Sequence, residues 1–342
     1  MLTNRLILKY ILIFSGLLIL LVLTSFWAMC SGDMSIPFLK IPSILMMGDS
    51  SMEYTILFSL RLPRILLGFA VGGGFGLAGV ILQGIYRNPL VEPYTLGISG
   101  GAALSVALVI VLGLHISVGA FLLPFAGFVG ALVTIFLVYF MSVKKGKIQV
   151  QSMVLIGVMI SFIASSTMMF LMSITTAENL HGIIFWMMGS LDEPNKTLIY
   201  VALGISLLSL IISHLFIKPL NALRLGISNA HHLGINTDVA IKSLFVIASL
   251  LTGMSVAVAG IIGFVGLIVP HFMRLVVGTD FRILLISSFL SGGIFVIFAD
   301  TVARTIILPN ELPIGAITGM IGGIAFILLI GHQNRKNRRS AL

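Results

Sequence analysis

Charge is scarce in this chain. Asp, Glu, Lys and Arg together make up 9% of its 342 residues, against about 25% in ordinary soluble domains, and that excludes a conventional water-soluble core-and-shell fold. Cysteine is scarcer still: Cys30 stands alone, so an intrachain disulfide framework is impossible. No G-x-x-x-x-G-K-[ST] segment occurs; the chain does not bind ATP by that loop, and any ATP-driven work draws on a separate ATPase. The 7 histidines are scattered without metal-ligand spacing, and no cluster of acid, base and nucleophile marks an enzyme. No carboxylate falls near the middle of an apolar run, where a proton- or ion-coupled carrier places its relays. Asp300 is the nearest candidate, and its i,i+4 spacing to Arg304 predicts an ion pair at a helix end.

What the chain does have is apolar length. Hydrophobic residues make up 58% of it. They fall in ten stretches, at about 10–30, 61–86, 95–113, 118–142, 150–173, 197–217, 243–260, 263–277, 283–304 and 313–331. Each approaches the ~20 residues that cross a bilayer as helix; the eighth is short, contains Pro270 and is expected to cross only in part. The first follows Arg5 and Lys9 and is longer than a signal-peptide core, so it reads as a retained helix. The expected fold is an all-α polytopic membrane protein, a single transmembrane domain over residues 1–342 with about ten helices.

Ten crossings leave both termini on one side, and the basic residues choose which. With the termini cytoplasmic, 15 of the 20 Lys and Arg lie inside, with Glu92, Asp238 and Asp280. Lys40, Arg61, Arg64, Lys196 and Arg304 lie outside with most of the acids, Asp49 among them. The net charge of +9 then reflects topology, and nothing calls for a nucleic-acid partner. The basic tail Arg335–Arg339 suits anchoring on anionic lipid.

Several constellations carry possible function. Arg61 and Arg64 stand at the expected outer start of the second helix, beside Pro63, and Arg304 near the outer end of the ninth. Two readings fit three outward arginines: docking of a carboxylate-bearing partner, or snorkelling to lipid headgroups. Gly72, Gly76 and Gly79, with Gln83, Asn88 and Pro89 at the inner end, suit close helix packing or a gating helix. Ser161, Ser165, Met168, Met169 and Met172 on the fifth helix suit a soft wall along a pathway or plain core filling. The cytoplasmic connection 218–242 repeats Leu225-Gly226 as Leu233-Gly234 around Asn229, which predicts two short helices separated by a turn. Such a loop either inserts into a soluble partner or lies on the membrane. A faint repeat at an offset of 181 pairs Ala78-Gly79, Pro89 and Gly97 with Ala259-Gly260, Pro270 and Gly278, which predicts an inverted arrangement.

RLPR from Arg61, LAGVILQ, RNPL-x-x-P, LGISGGA, AGIIGFVGLIVPHFMRLVVGTDFR from Ala259, FADTVART and NELPIGAITGMIGG run through nearly the whole chain. In these segments the chain resembles the FecCD-type permeases of ABC importers for ferric siderophores, haem and cobalamin. Phe281 and Ile324 depart from the family's usual His and Pro. The resemblance implies a type II importer fold in the cytoplasmic membrane and a homodimer. It also implies two ATPase subunits that bind ATP and Mg, a substrate-binding protein outside, and no cofactor or metal in this chain. It further implies that Arg61, Arg64 and Arg304 receive the binding protein, and that Leu225, Gly226, Asn229, Leu233 and Gly234, near Thr279 and Asp280, meet the ATPase. The implied cargo is a metal chelate: ferric siderophore first, else haem or cobalamin. An ion-gradient-driven carrier is the alternative.

Overall fold

The computed structural model describes residues 2–47, 51–119, 121–144 and 147–340; Asp49 and Lys145, used in the charge argument, fall outside them. Ten apolar helices make the body. They are α1 (Leu2–Cys30), α2 (Met52–Tyr86), α3 (Ile98–Val111), α4 (Leu122–Ser142), α5 (Val150–Ile174), α6 (Lys196–His214), α7 (Thr237–Ala259), α8 (Val265–Val277), α9 (Phe281–Thr305) and α10 (Ile314–Ser340). Seven contain spans long and apolar enough to cross a membrane; α3, α8 and the apolar part of α10 are shorter. The described residues otherwise form short helices, turns and one two-residue antiparallel pairing, Val143 opposite Ile148.

The second helix starts earlier than Pro63 suggests. Ser51 caps it by accepting the Tyr54 N–H at 3.2 Å, and the helix runs on through a π turn at Ile56–Arg61. Proline removes one helical donor and crowds the carbonyl four residues back; a π turn just before it is one of the few ways a helix absorbs that conflict without ending. Arg61 therefore lies inside a continuous helix and not at a helix start.

α2 is the hub, buried along almost its whole length. It packs most extensively on α9, and glycine is what lets it. A β-carbon on Gly72 would collide with the carbonyl oxygen of Gly292, and one on Gly76 with that of Ser288. Further in, a β-carbon on Gly79 would strike Gly266 of α8. Lipid offers helices no hydrophobic reason to associate, so backbone-to-backbone approach of this kind is a main source of packing energy.

Two irregular segments enter the bundle, the first with a 3-10 turn at Pro93–Leu96. Residues 87–97 turn back after α2, and residues 260–264 drop from the end of α7; each leads into a short helix. Pro93 packs on Gly266, itself against Phe75 and Gly79 in the middle of α2. Tyr94 Oη donates to the Ile262 carbonyl at 2.8 Å and accepts the Ile262 N–H at 2.9 Å. Non-helical backbone at this depth persists only where protein satisfies it, and here each broken segment serves the other. Glu92, expected in a cytoplasmic loop, instead lies half-buried at this junction, between the buried Val91 and Pro93. The offset-181 correspondence does not survive. Gly79 sits mid-helix while Gly260 caps α7; Pro89 lies in a turn while Pro270 lies inside α8; Gly97 precedes a helix while Gly278 follows one. What recurs is a break followed by a short helix, at a different spacing.

Candidate docking, pathway and coupling sites

The three arginines do come together at the outer end, but none is a free cation. Arg61 is 4% exposed; its guanidinium donates to the Met29 carbonyl at 2.6 Å and to the Met34 carbonyl, in a space that Gly32 leaves open. Arg64 grips Glu311 with both terminal nitrogens, at 2.7 and 2.6 Å, and has Asp192 at 3.9 Å. Arg304, 6% exposed, pairs with Asp300 at 2.9 Å and reaches the Ala28 carbonyl at 3.5 Å. The hydrogen bonds from Arg64 hold the Glu311 carboxyl below its ordinary pKa; the charges of Arg64 and Arg304 add to this, and partial burial opposes it. Glu311 and Asp192 were missed as partners because they lie 247 and 128 residues from Arg64, although Glu311 belongs to the NELP segment already singled out.

At the inner end the connection after α6 folds into two short helices, Ile217–Leu223 and Ile227–His232. The turns beside them place Gly226 at φ 110° and Gly234 at φ 79°, values a side chain resists. Leu225 and Leu233 are each 62% exposed, and Asn229 folds back on the Leu225 carbonyl at 2.7 Å. Two bonds tie this unit to the Gly278–Asp280 turn. Asn221 donates to Asp280 at 3.0 Å, and Arg224 donates to the Thr279 carbonyl at 2.9 Å. Asp280 also caps α9 through the Arg282 N–H. Phe281, where the family usually has His, packs its ring on Gly84. Asn221 and Arg224 are absent from the sequence-based site, since nothing local pairs them with residues more than 50 positions away.

Gln83 is buried between α2 and α8, donating to the Gly266 and Leu267 carbonyls at 3.3 Å each and accepting from Arg274 at 3.0 Å. Asn88 accepts the Leu90 N–H at 2.9 Å and, with Pro89, turns the chain back into the bundle. The five residues proposed along α5 fall within one arc of about 100° of that helix, but at the edge of its packed face, so that their burial differs. Ser161 lies against Gly97 and Gly100 of the α3 segment, and Met168 is buried. Ser165 and Met169 point away from the bundle, and Met172 is half-buried.

A bundle of ten apolar helices, with broken segments at its centre and polar clusters at its two ends, defines a membrane transport permease. The FecCD transport family model matches residues 18–332, and the chain belongs to that family. It is 35% identical to the hemin transport system permease HmuU of Yersinia pestis, over 94% of this chain and 95% of that one. It is 36% identical to the cobalamin import system permease BtuC of Halobacterium salinarum, over 88% and 80% respectively. A solved metal-chelate type ABC transporter in an inward-facing conformation superposes with a TM-score of 0.81 at 32% identity, covering 94% of this chain and 99% of that one. The chain is thus a multi-pass permease of an ABC importer in the cytoplasmic membrane.

Proposed function

We propose that the chain forms half of a homodimeric pathway for a metal chelate: a ferric siderophore, haem or cobalamin. An ATPase subunit engages each 218–242 loop, and a substrate-binding protein docks at the outer end over Arg64 and its partner Glu311, with the buried Arg61 and Arg304 beneath. The carrying observation is the pairing of the two ends. Exposed Leu225 and Leu233 stand on a unit hydrogen-bonded to the start of α9, and the same helix ends outside at Arg304. A rigid helix bonded at both ends suits transmission of ATPase motion to the docking face. The exposed face of α5, with Ser165 and Met169 among large apolar side chains, suits a boundary shared with the second copy.

Uptake of labelled ferric siderophore, haem, cobalamin and molybdate in a deletion strain and its complemented control tests the cargo. Loss of one chelate, restored by the gene and abolished by ATP depletion, is the expected result. Uptake that survives ATP depletion but stops with ionophores would replace this reading with an ion-gradient carrier.

A further inference from the structure

A cavity of about 390 Å³ opens at the inner end of the bundle, between the end of α2, the middle of α8, the Thr279 turn and the first short helix of the coupling loop. Its walls carry Arg87, Arg224, Arg274 and His271, and no Asp or Glu. Like charges gathered on one wall repel one another, and the adjoining Asp280 does not line the cavity and is engaged by Asn221 and the Arg282 N–H, so this grouping suits an anion.

Two of the guanidiniums, Arg224 and Arg274, are held by hydrogen bonds before any ligand arrives. Arg274 is fixed by Gln83 at 3.0 Å, and Gln83 is itself locked onto two carbonyls of α8. Arg224 is fixed by the Thr279 carbonyl at 2.9 Å. Arg87 holds a left-handed backbone at φ 51°, and its side chain lies over Gly226. A guanidinium carries five donors; the bonds described occupy one each on Arg224 and Arg274, and the rest remain for a ligand. Pre-organised guanidinium forks suit an oxyanion with several acceptors around one centre, which is phosphate chemistry. The site lies at the cytoplasmic boundary, where inner-leaflet phosphates sit, and the exposed Leu275 on the same wall offers an apolar edge to a lipid tail.

We propose that Arg87, Arg224 and Arg274 form a phosphate-binding site that ties the coupling loop to α2 and α8, filled by an anionic phospholipid headgroup or by free phosphate. An anion there adds a shared ligand to elements that otherwise meet through the Gln83 bonds to α8 and the Arg224 bond to Thr279. The proposal does not depend on the cargo or on the docking reading.

The test uses the full chain, purified with any subunits that accompany it, in nanodiscs, with melting temperature as the readout. One arm titrates inorganic phosphate into phosphatidylcholine discs; the other replaces phosphatidylcholine with phosphatidylglycerol without phosphate. A saturable rise in at least one arm is expected, identifying the source. It should be reduced in Arg87→Gln and lost in Arg224→Gln/Arg274→Gln, but kept in Lys9→Gln, an exposed charge on α1 outside the cavity and the coupling loop. Arg87→Gln alters an exposed side chain and keeps the test open if the double variant does not fold. No rise in either arm, or the same rise in wild type, Arg87→Gln and any folded double variant, would overturn the proposal.

Discussion

Arg64 and Glu311, 247 residues apart, are joined by two parallel hydrogen bonds of 2.7 and 2.6 Å at the outer end of the bundle. An arginine proposed to receive a carboxylate from a binding protein already holds one of its own. Docking on Arg64 is then an exchange, and Glu311 is the internal competitor. Arg64→Glu is expected to weaken binding-protein affinity by tenfold or more, since breaking a buried, hydrogen-bonded charge pair at an interface costs roughly 2–5 kcal/mol. Glu311→Ala is expected to tighten it. Titration of the purified binding protein onto nanodisc-held permease measures both; unchanged affinity in the charge reversal would sink the docking assignment.

The same pair predicts an acid limit. Contact with Arg64 depresses the Glu311 pKa, so its contribution is fully present above the unfolded glutamate value of ~4.3 and is lost as pH falls through the lower folded value. Glu311 is half exposed, which keeps the contribution small. The difference in melting temperature between wild type and Glu311→Gln should stay constant from about pH 7 to pH 5 and shrink below about pH 4. A difference that is flat down to about pH 3 would remove the pair from the stability account.

Asp300 and Arg304 pose the opposite case. Their side chains are 9% and 6% exposed, so removing one leaves a buried charge alone, at a cost of ~3–5 kcal/mol, while removing both is far milder. Arg304→Met and Asp300→Leu should each lower the melting temperature more than the double variant does. If the double variant loses as much as the two singles added, the pair is not coupled.

At the inner end, Asn221 and Asp280 connect the coupling loop to α9. Asn221→Ala removes that tether and the Phe281 N–H bond that Asn221 accepts at 3.3 Å. Asp280→Ala also removes the α9 cap, worth about 0.5–2 kcal/mol. In reconstituted vesicles both should hydrolyse ATP at near the wild-type rate while import falls several-fold. Parallel loss of hydrolysis and import would mean that the loop supports ATPase binding instead of transmitting its motion.

How much of this could be read in advance divides by distance along the chain. The ten apolar helices and the Asp300–Arg304 pair follow from local hydrophobic length and i,i+4 spacing. The two short helices of the coupling unit follow from the recurring Leu-Gly. Sequence placed Glu92 in a cytoplasmic loop because an acid between two apolar runs looks like one; only the return of residues 87–97 into the bundle makes it interior. Arg61 looked like a helix start because Pro63 usually marks one, whereas Ser51, a good N-cap ten residues earlier, was the better signal. The pairing of Arg64 with Glu311 and of Arg274 with Gln83 had no local trace, since each joins elements that meet only after the bundle has packed.

The glycines of α2 separate packing from mere flexibility. A β-carbon at Gly79 meets the backbone of Gly266, which cannot rotate away as a side chain could, whereas one at Gly16 in α1 meets nothing. Alanine normally stabilises a helix interior by ~0.5–1 kcal/mol over glycine, so Gly16→Ala should leave the melting temperature unchanged or raise it. Gly79→Ala gains the same propensity but must separate α2 from α8, and with them the Tyr94–Ile262 bonds that satisfy the broken segments. It should express poorly or melt several degrees lower, by a margin larger than propensity could produce. If Gly79 serves only to bend a gating helix, Gly79→Ala would instead fold with wild-type stability and fail in transport. Size-exclusion profiles and thermal melts of the two variants, read beside uptake, decide between the two roles.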